Sequence, residues 1–417
     1  MGAGRTMNPW WTVVGAVLGL TVGNGPTMQF TFGVLLKPVA AGLGVERGTV
    51  SVALLVGLVL TGVATPLVGR AVDRFGIRAV GAPAILLFGL SMAAIGLLAR
   101  GPTSFVLLYG VAGLMAAGQT PLTYAKAIAA RFDENRGLAL GVSMAGVGLG
   151  TALLPKFTQG LLGAGIGFRQ VYVALGVLTV VVALPAMLWL VQPGRQGKEQ
   201  TTVATNLPGL TTSQAMRSAS LWKLMLAFLL VAMAANGVIT HLVPLLTDRG
   251  LDPEVATSTL SMAGLALIGG RLLAGYCLDH LFAPYVAATF FALPLLGLLL
   301  LMLSGGTDMA TPAVILIALG LGAEVDLIAY LQSRYLGLRS FGELYGYLFA
   351  VFMLGSGLGP FLMGMGFQQA GSYDLPLQVL AGCLALACIL VLRLGPYRYV
   401  PGAGAEPKPV QKEEWAH

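Results

Sequence analysis

The sequence predicts an all-α membrane protein whose twelve transmembrane helices form two pseudo-symmetric six-helix bundles. Of its 417 residues, 56% are hydrophobic and only 10% are charged, whereas a soluble domain carries about 25% charged residues to wet its surface. The hydrophobic residues fall into twelve long runs, and a polar stretch in mid-chain separates six runs from six. The apolar surface is therefore expected to face lipid or other helices, and the 58 glycines would let those helices approach closely.

Each run is long enough to cross a bilayer, because a helix of about 20 residues spans a hydrocarbon core of about 30 Å. In the first half, the predicted spans are 10–36, 49–69, 79–99, 103–129, 138–165 and 171–191. In the second half, they are 221–247, 255–278, 284–303, 310–333, 342–368 and 374–394.

Two polar segments set the expected domain boundaries. Residues 192–220 include a run rich in Gln, Gly, Lys and Thr, which is typical of a solvated linker. The residues after Arg393 are also polar and are expected to be mobile. The predicted domains are an N-terminal bundle over 1–191, a cytoplasmic linker over 192–220, a C-terminal bundle over 221–394 and a polar cytoplasmic tail over 395–417.

The basic residues predict the orientation of the chain. If both termini are cytoplasmic, sixteen of the 24 Lys and Arg residues fall in inner segments, five in outer loops and three inside the runs. This excess indicates cytoplasmic termini and a multi-pass location in the cell (inner) membrane, because positive residues remain on the cytoplasmic side. The net charge of +7 has the same origin, so no nucleic-acid partner is expected.

The two halves carry matching motifs, which predicts an internal duplication. Gly69-Arg-Ala-Val-Asp73-Arg74 recurs as Gly275-Tyr-Cys-Leu-Asp279-His280, 206 residues later. Gly146-Val-Gly-Leu-Gly150 recurs as Gly355-Ser-Gly-Leu-Gly359, 209 residues later. These glycine triplets lie inside apolar runs, so they indicate close helix packing or a flexible gate and not a nucleotide loop. Duplicated halves place a substrate site at their interface, near the bilayer midplane.

The loop Gly69 to Arg78 resembles the signature of the major facilitator superfamily, Gly-x-x-x-Asp-Arg-x-Gly-Arg-Arg, with Ile77 in place of one final basic residue. Phe32-Gly33-Val34 with Lys37-Pro38, and Gly270-Arg271-Leu-Leu-Ala-Gly275, resemble the branch of monocarboxylate and oxalate–formate transporters. The resemblance, which extends over about 10–394, implies an alternating-access carrier of small organic anions, often coupled to protons.

The signature loop suggests a conformational latch at the cytoplasmic surface. Asp73 beside Arg74 and Arg78 can form charge-assisted bonds that hold the carrier in its outward-open state. Asp279 would act in the second copy, where His280 replaces the expected Arg and weakens it. Alternatively, the loop is solvated and only determines the membrane topology, because exposed ion pairs contribute little stability.

Arg271 is the leading candidate for substrate binding. A charge at the bilayer centre costs roughly 2.5–3.5 kcal/mol of free energy, which indicates a functional role. A guanidinium can bind a carboxylate through two parallel hydrogen bonds. The resemblance places the substrate-binding arginine of organic-anion carriers on this eighth helix. The alternative is a structural ion pair with an acidic residue nearby in space.

Glu324 and Asp326 lie near the middle of the tenth run and are candidates for proton coupling. Residues two apart on a helix point about 200° apart, so both cannot face one cavity squarely. One could neutralise Arg271 when no anion is bound, and the other could be buried and protonated. Asp326 is placed ahead of Glu324 for the proton, and packing hydrogen bonds are the alternative for both.

Polar residues on the first, fourth, seventh and tenth helices are further candidates, because the resemblance places those helices around the transport path. The leading ones are Tyr124, Asn236, His241 and Tyr330, followed by Asn24, Thr27, Gln29, Gln119 and Thr120. Each could equally satisfy an interhelical hydrogen bond. Lys126 and Lys156 are expected to extend to the membrane surfaces, although either could face the cavity.

These residues together predict a secondary active transporter. Arg271 is the single central arginine and the eleventh run contains no Lys or Arg, which favours a monocarboxylate such as lactate or pyruvate, moved with a proton. An oxalate/formate-type exchanger is the alternative, and an integral membrane enzyme is less favoured because no nucleophile–base pair or metal cluster is apparent. No catalytic residue, metal or cofactor is expected. The chain is predicted to act as a monomer whose partners are a small carboxylate, protons and the lipid bilayer.

Overall fold

Long α-helices build almost all of the structure, which is a computed structural model. It describes residues 8–129, 131–132, 136–191, 209–303 and 309–399, without the side chains of residues 73, 129, 136 and 137. The predicted linker and tail therefore lie largely outside the described residues. Described parts of both pack on the C-terminal half. The Leu210 N–H donates to the Leu336 carbonyl at 2.8 Å, and the Arg398 and Tyr399 N–H groups donate to the Arg334 carbonyl.

The described residues of the first half form eight α-helical segments. They are α1 (Trp10–Thr21), α2 (Phe32–Leu43), α3 (Arg47–Phe75), α4 (Ile77–Leu98), α5 (Pro102–Ala116), α6 (Pro121–Ala129), α7 (Arg136–Gly163) and α8 (Phe168–Pro185). A π-helical stretch, Gly25–Phe30, joins α1 to α2, and a second one, Ala186–Leu190, follows α8.

In the second half, the part of the chain that the structure describes forms one short and six long helices. They are α9 (Thr212–Met216), α10 (Ala219–Asp248), α11 (Pro253–His280), α12 (Ala283–Leu303), α13 (Ala310–Tyr335), α14 (Phe341–Ala370) and α15 (Asp374–Leu392). The short helix α9 lies inside the segment predicted as a linker.

The helices are long and apolar enough for a multi-pass membrane protein. Among the described residues, eleven segments qualify as spans, and Phe32–Leu43 is a shorter apolar helix. The interrupted segment α1–π–α2 supplies the twelfth crossing, so the predicted first span of 10–36 is too short and continues to Leu43. Large apolar side chains such as Leu107 and Leu272 remain more than half exposed, as expected of surfaces that face lipid.

The first and fourth membrane segments are both broken near mid-membrane, for local reasons. Gly23, Gly25 and Pro26 follow the end of α1, and a π-helical turn with its i→i+5 hydrogen bonds replaces the α-helix there. In the fourth segment, Thr120 is extended, with φ −83° and ψ 161°, because the residue before a proline disfavours the α conformation. Their counterparts in the second half, α10 and α13, are continuous.

The duplicated glycine triplets have the same packing role in the two halves. Gly146 and Gly150 lie against the first membrane segment of their own half. Gly355 and Gly359 lie against α10, the first long helix of theirs. The central glycine of each triplet instead faces the other half. Gly148 contacts α11 and Gly357 contacts α3. The triplets therefore let one helix pack tightly on two neighbours at once, as predicted for close packing.

The two halves meet at one end of the bundle and separate at the other. Near the loops 44–46 and 249–252, helices α3 and α14 are in tight contact across the seam between the halves. Gly48 of α3 lies against Met365 and Gln368, and Gly364 of α14 lies against Arg47 and Ser51. Toward the opposite end, a Cβ added at Gly69 of α3 would meet only its own half, and one added at Gly346 of α14 would meet nothing within 4 Å. We call these the closed end and the open end.

Gly264 provides a test of the close packing between α7 and α11. A Cβ there would collide with backbone atoms of Gly148 and Ala152, and overpacking of this kind costs about 1–3 kcal/mol. Gly264→Ala should therefore lower the thermal unfolding midpoint in detergent.

The matched control is Gly275→Ala on the same helix, where a Cβ meets nothing within 4 Å. That variant should be neutral or slightly stabilised, because Ala is the better helix former. Equal midpoints for the two variants would contradict the proposed close contact.

Candidate substrate site between the two halves

A cavity lies between the halves at the level of the two helix breaks. It contains about 790 Å³ of empty space, including its mouth. Its polar wall in the first half comes from Asn24, Gln29, Gln119 and Thr120, and in the second half from Asn236, Arg271 and Ser356. Apolar side chains, among them Phe30, Leu321, Val325, Phe349, Phe352 and Met353, cover much of the remainder. Such a lining, apolar with a few convergent polar groups, is typical of a small-molecule site.

Arg271 is the one charged residue among the described residues that line this cavity. Its Nε donates to Asp326 Oδ2 at 2.9 Å, and the two side chains are 11% and 39% exposed respectively. Its Nη1 is buried and has no hydrogen-bond partner among the described residues. The guanidinium is thus only partly neutralised. Arg271 faces the cavity and also forms an ion pair with a nearby acid, and its role in substrate binding stays a prediction.

Glu324 occupies a different face of α13 from Asp326. It is completely buried, and neither carboxyl oxygen has a partner in the described parts of the chain. Gly320, one turn earlier on the same face, lies against Pro294 and Phe290 of α12. Glu324 therefore points into the C-terminal bundle and is not among the residues that line the cavity. The separation of the two acids, expected from their spacing, holds.

Asn236 is the centre of a hydrogen-bond network across the cavity. Its Oδ1 accepts from Gln29 Nε2 at 2.6 Å, which joins the two halves. Its Nδ2 donates to the Ala232 carbonyl at 3.0 Å and to Ser356 Oγ at 3.2 Å. Of the four leading polar candidates, only Asn236 lines the cavity.

The other three leading candidates lie elsewhere. Tyr124 is completely buried with its hydroxyl against Gly19 of α1. His241 is also fully buried, and it lies toward the closed end between Ser51 and Tyr373. The Tyr330 hydroxyl accepts from Arg334 Nη2 at 2.8 Å, near the open end.

Both lysines inside the membrane segments lie away from the cavity wall. Lys126 Nζ donates to the Gly69 carbonyl of α3 at 2.9 Å. Lys156 is exposed on the surface of α7, beside the exposed Leu153 and Phe157. Neither is among the residues that line the cavity, so neither contributes a second cation to it.

The predicted latch residues lie at the open end. Arg78 Nε donates to the Val191 carbonyl at 2.6 Å, and the Arg74 guanidinium lies over the ring of Phe75. Asp279 is in the last turn of α11, and the side chain of Asp73 is outside the described residues. Because the halves are apart at this end, a latch here would be released in this conformation. The latch role stays a prediction.

The closed end carries a charge cluster that sequence reasoning missed, because its cations were counted only as outer-loop charges. Asp248 at the end of α10 accepts from Lys37 Nζ at 2.6 Å and from Arg47 Nη2 at 3.1 Å. Lys37 and Arg47 belong to the first half and Asp248 to the second, so these ion pairs hold the two halves together at the closed end. Arg47 also donates to the Tyr373 hydroxyl at 3.1 Å and lies over the ring of Phe367.

His241 continues this cluster toward the membrane centre in an uncharged form. The Ser51 hydroxyl donates to the Arg47 carbonyl at 2.8 Å, so it must accept from His241 Nε2 at 3.3 Å. Burial raises the pKa of the Tyr373 phenol to about 12, so its hydroxyl keeps its proton and donates to His241 Nδ1 at 3.2 Å. This pattern makes His241 a neutral structural bridge of the closed end.

Helix α14 contributes wall residues that no sequence motif marked as functional. Ser356 was hidden inside the second glycine triplet, and Phe349 and Phe352 resemble ordinary apolar residues. Phe341, Tyr345, Phe349 and Phe352 form a stacked ladder with centroid spacings of 6.1, 5.9 and 5.8 Å. The ladder runs from the first turn of α14, at the open end, to the cavity. Two duplicated bundles around such a central cavity have the architecture of a secondary transporter.

Comparisons with known proteins agree with this architecture. Residues 18–360 match the Major Facilitator Superfamily. The oxalate:formate antiporter of Oxalobacter formigenes is 29% identical over 281 residues, which cover 66% of this chain and 64% of the antiporter. Monocarboxylate transporter 11 of Homo sapiens is 26% identical over 343 residues, which cover 78% of this chain and 70% of that protein.

A solved structure shares the fold. It is a bacterial homologue of the human lysosomal transporter Spinster in an inward-facing, occupied conformation. It matches with a TM-score of 0.67 and 17% sequence identity, over 93% of this chain and 97% of that one. The chain therefore belongs to the Major Facilitator Superfamily, and the expected all-α fold and the expected similarity to the monocarboxylate and oxalate–formate transporters are confirmed.

The charge cluster at the closed end predicts the effect of removing Asp248. Asp248→Asn weakens both ion pairs across the seam, which as a partly exposed network contribute on the order of 1 kcal/mol. The population of molecules open at this end should rise about fivefold or more. Spin labels at Glu46→Cys and Glu254→Cys, without the three native cysteines, should report longer distances.

Asp374→Asn is the control, because Asp374 is an exposed acid at the same end with no ion pair across the seam among the described residues. Its distance distribution should match that of the unmodified protein. An unchanged distribution in Asp248→Asn would show that the cluster does not hold the closed end.

Proposed function

We propose that this protein is a secondary active transporter that moves a small organic monocarboxylate, such as lactate or pyruvate, together with a proton by alternating access. One observation carries the proposal: a buried arginine with a free Nη1 faces a cavity at the seam of two duplicated halves. The similarity to an oxalate:formate antiporter and to monocarboxylate transporters supports the same substrate class.

Arg271 is proposed to bind the substrate carboxylate. Its Nη1 has no hydrogen-bond partner among the described residues. Its Nε donates to the carboxylate of Asp326, whose side chain is 39% exposed. An incoming carboxylate can therefore bond Nη1 first and then compete with Asp326 for Nε. Bonds between a guanidinium and a carboxylate are roughly twice as strong as neutral ones, and the apolar surroundings would strengthen them further.

Asp326 is proposed to carry the coupled proton. In the absence of substrate, Asp326 accepts a charge-assisted hydrogen bond from Arg271 Nε at 2.9 Å. When a substrate carboxylate takes the guanidinium, two carboxylates share one cation, and protonation of Asp326 removes the excess negative charge. Substrate and proton then cross together, and release of the substrate restores the pair.

The charge count favours a monocarboxylate. Among the described cavity residues Arg271 is the sole cation, Lys126 and Lys156 lie away from the wall, and α14 contains no Lys or Arg. One guanidinium suits one carboxylate, whereas a dianion would leave one negative charge buried without a partner, at a cost of several kcal/mol. The apolar remainder of the substrate would contact Phe349, Phe352 and Leu321.

Exchange of organic anions is the second candidate function. It is favoured by the oxalate:formate antiporter, although this chain spans about 64% of that protein's length. In an exchange mechanism, an outgoing anion would leave Arg271 only when an incoming anion replaces it. No net movement of protons would follow. We further propose that the N and C termini are cytoplasmic in the cell membrane, in line with the distribution of basic residues. We also propose a monomeric carrier and a division into two bundles at residues 192–220.

Arg271→Gln tests the binding role. It should reduce uptake of radiolabelled lactate into proteoliposomes by about 100-fold, because about 3 kcal/mol of charge-assisted bonding is lost. Lys156→Gln removes an equal charge from a membrane segment away from the cavity and should retain uptake. Thermal unfolding would verify that both variants are folded. Undiminished uptake in Arg271→Gln would contradict the proposed binding site.

Asp326→Asn tests proton coupling. The amide cannot exchange a proton, so uptake should no longer respond to an inward proton gradient, while lactate exchange across the membrane should continue. Glu324→Gln serves as the matched control on the same helix, because its side chain points away from the cavity. Loss of coupling in Glu324→Gln but not in Asp326→Asn would transfer the proton role to the buried glutamate. A dye inside the liposomes would report proton flux.

A further inference from the structure

The first-half wall of the cavity contains polar groups for which the carboxylate-carrier proposal has no use. Asn24 is 6% exposed, lines the cavity and forms no hydrogen bond with any described residue, and its Oδ1 is completely buried. An amide on a cavity wall with no partner among the described residues remains free to form a hydrogen bond with a bound ligand.

Gln29 presents a hydrogen-bond acceptor beside Asn24, and the surrounding bonds fix its orientation. The Ala232 carbonyl can only accept, so the group of Asn236 that contacts it at 3.0 Å must be its NH₂. The remaining Oδ1 of Asn236 must then accept from Gln29 Nε2 at 2.6 Å. The free end of Gln29 is consequently its Oε1, which has no partner among the described residues.

The π-helical stretch places these two side chains on one face. Asn24 immediately precedes the stretch Gly25–Phe30 and Gln29 lies five residues later. On a regular α-helix, five residues correspond to a rotation of about 500°, so the two would point in different directions. The i→i+5 register of a π-helix instead brings them onto the same side. Both line the cavity, on the wall contributed by the first half, whereas Arg271 is on the wall of the second.

Gln119 is a weaker member of this group. Its Nε2 donates to the carbonyls of Gly19 and Val22 at 3.3 and 3.5 Å, so its Oε1 is also an acceptor. Gln119 is completely buried, and its amide already bonds the first membrane segment. The argument therefore depends on Asn24 and Gln29.

We propose that Asn24 and Gln29 recognise a hydroxyl group on the substrate, so that the carrier selects short hydroxy-carboxylates over the corresponding oxo-carboxylates. This inference rests on the proposed function and narrows its substrate class. A hydroxyl can donate to Gln29 Oε1 and accept from the Asn24 amide, while the carboxylate binds Arg271. A keto oxygen can only accept, so it would oppose the Gln29 oxygen and leave that acceptor unpaired.

An amino acid fits this wall less well than a hydroxy acid. An ammonium group can only donate hydrogen bonds. Burying its charge beside neutral amides has a desolvation cost in free energy that exceeds the stabilisation from hydrogen bonds to those amides. The carboxylate nearest the cavity, Asp326, is already bonded to Arg271. The uncharged wall therefore favours a neutral donor.

Four three-carbon acids of similar size test the proposal in proteoliposomes that contain the full chain. Lactate carries a hydroxyl, pyruvate a keto group, propionate neither and alanine an ammonium. The ratio of kcat/KM for lactate to that for pyruvate should be about ten or more, the equivalent of one hydrogen bond to a buried group. Lactate should likewise exceed propionate and alanine.

Gln29→Met keeps the length of the side chain and removes its acceptor, so it should reduce the lactate-to-pyruvate ratio to within about threefold. Thr27→Val is the control. Thr27 is buried in the same π-helical stretch but is not among the residues that line the cavity, so the ratio should persist. A general effect on conformational change would alter all acids alike and leave the ratio intact.

Equal transport of lactate and pyruvate by the unmodified protein would overturn the hydroxyl preference and leave the carboxylate-carrier proposal standing. Preference for alanine, or an unchanged ratio in Gln29→Met, would also overturn it. Transport of none of the four acids would overturn both proposals. The ranking by the unmodified protein is decisive even if Gln29→Met does not fold.

Discussion

The ion pair between Arg271 and Asp326 is the interaction on which the proposed transport cycle depends. A guanidinium inside the membrane costs roughly 2.5–3.5 kcal/mol, and a bond of 2.9 Å to a carboxylate on the neighbouring helix compensates part of that cost. The pair lies within one half of the protein, so its strength can change without separating the halves. The ion pair therefore stabilises the guanidinium inside the membrane. Because Nη1 lacks a hydrogen-bond partner among the described residues, the guanidinium can still bind a second carboxylate.

The seam between the halves combines close contacts between helix backbones with ion pairs that can be broken. Glycines such as Gly148 and Gly264 bring two helix backbones together across the seam and leave no room for side chains. The cluster of Lys37, Arg47 and Asp248 adds charge pairs that water can replace when that end opens. A seam of this kind is suited to the two discrete arrangements that the proposed alternating access requires.

The two halves share a framework but divide the chemistry of the cavity between them. In the first half, two broken helices supply neutral amides, among them Asn24 and Gln29, on a wall without charge. In the second half, continuous helices supply Arg271 and its partner Asp326. Discontinuous helices expose groups that a regular helix would keep paired. The two bundles are thus similar in framework, and the broken helices occur in the half for which we propose hydrogen-bond recognition, whereas the proposed charge recognition belongs to the half with continuous helices.

Composition and periodicity determined the membrane class, the helix spans and the duplication, because lipid imposes long apolar segments and small residues mark close packing. The same logic singled out Arg271, since a charge in an apolar run is rare and costly. Tertiary structure alone decided which polar residues meet. His241 and Tyr330 lie on the expected helices yet at opposite ends, and Asp326 rather than Glu324 reaches Arg271. Which side a residue faces depends on helix rotation and on breaks such as the π-helical turn, and contacts between distant segments set both.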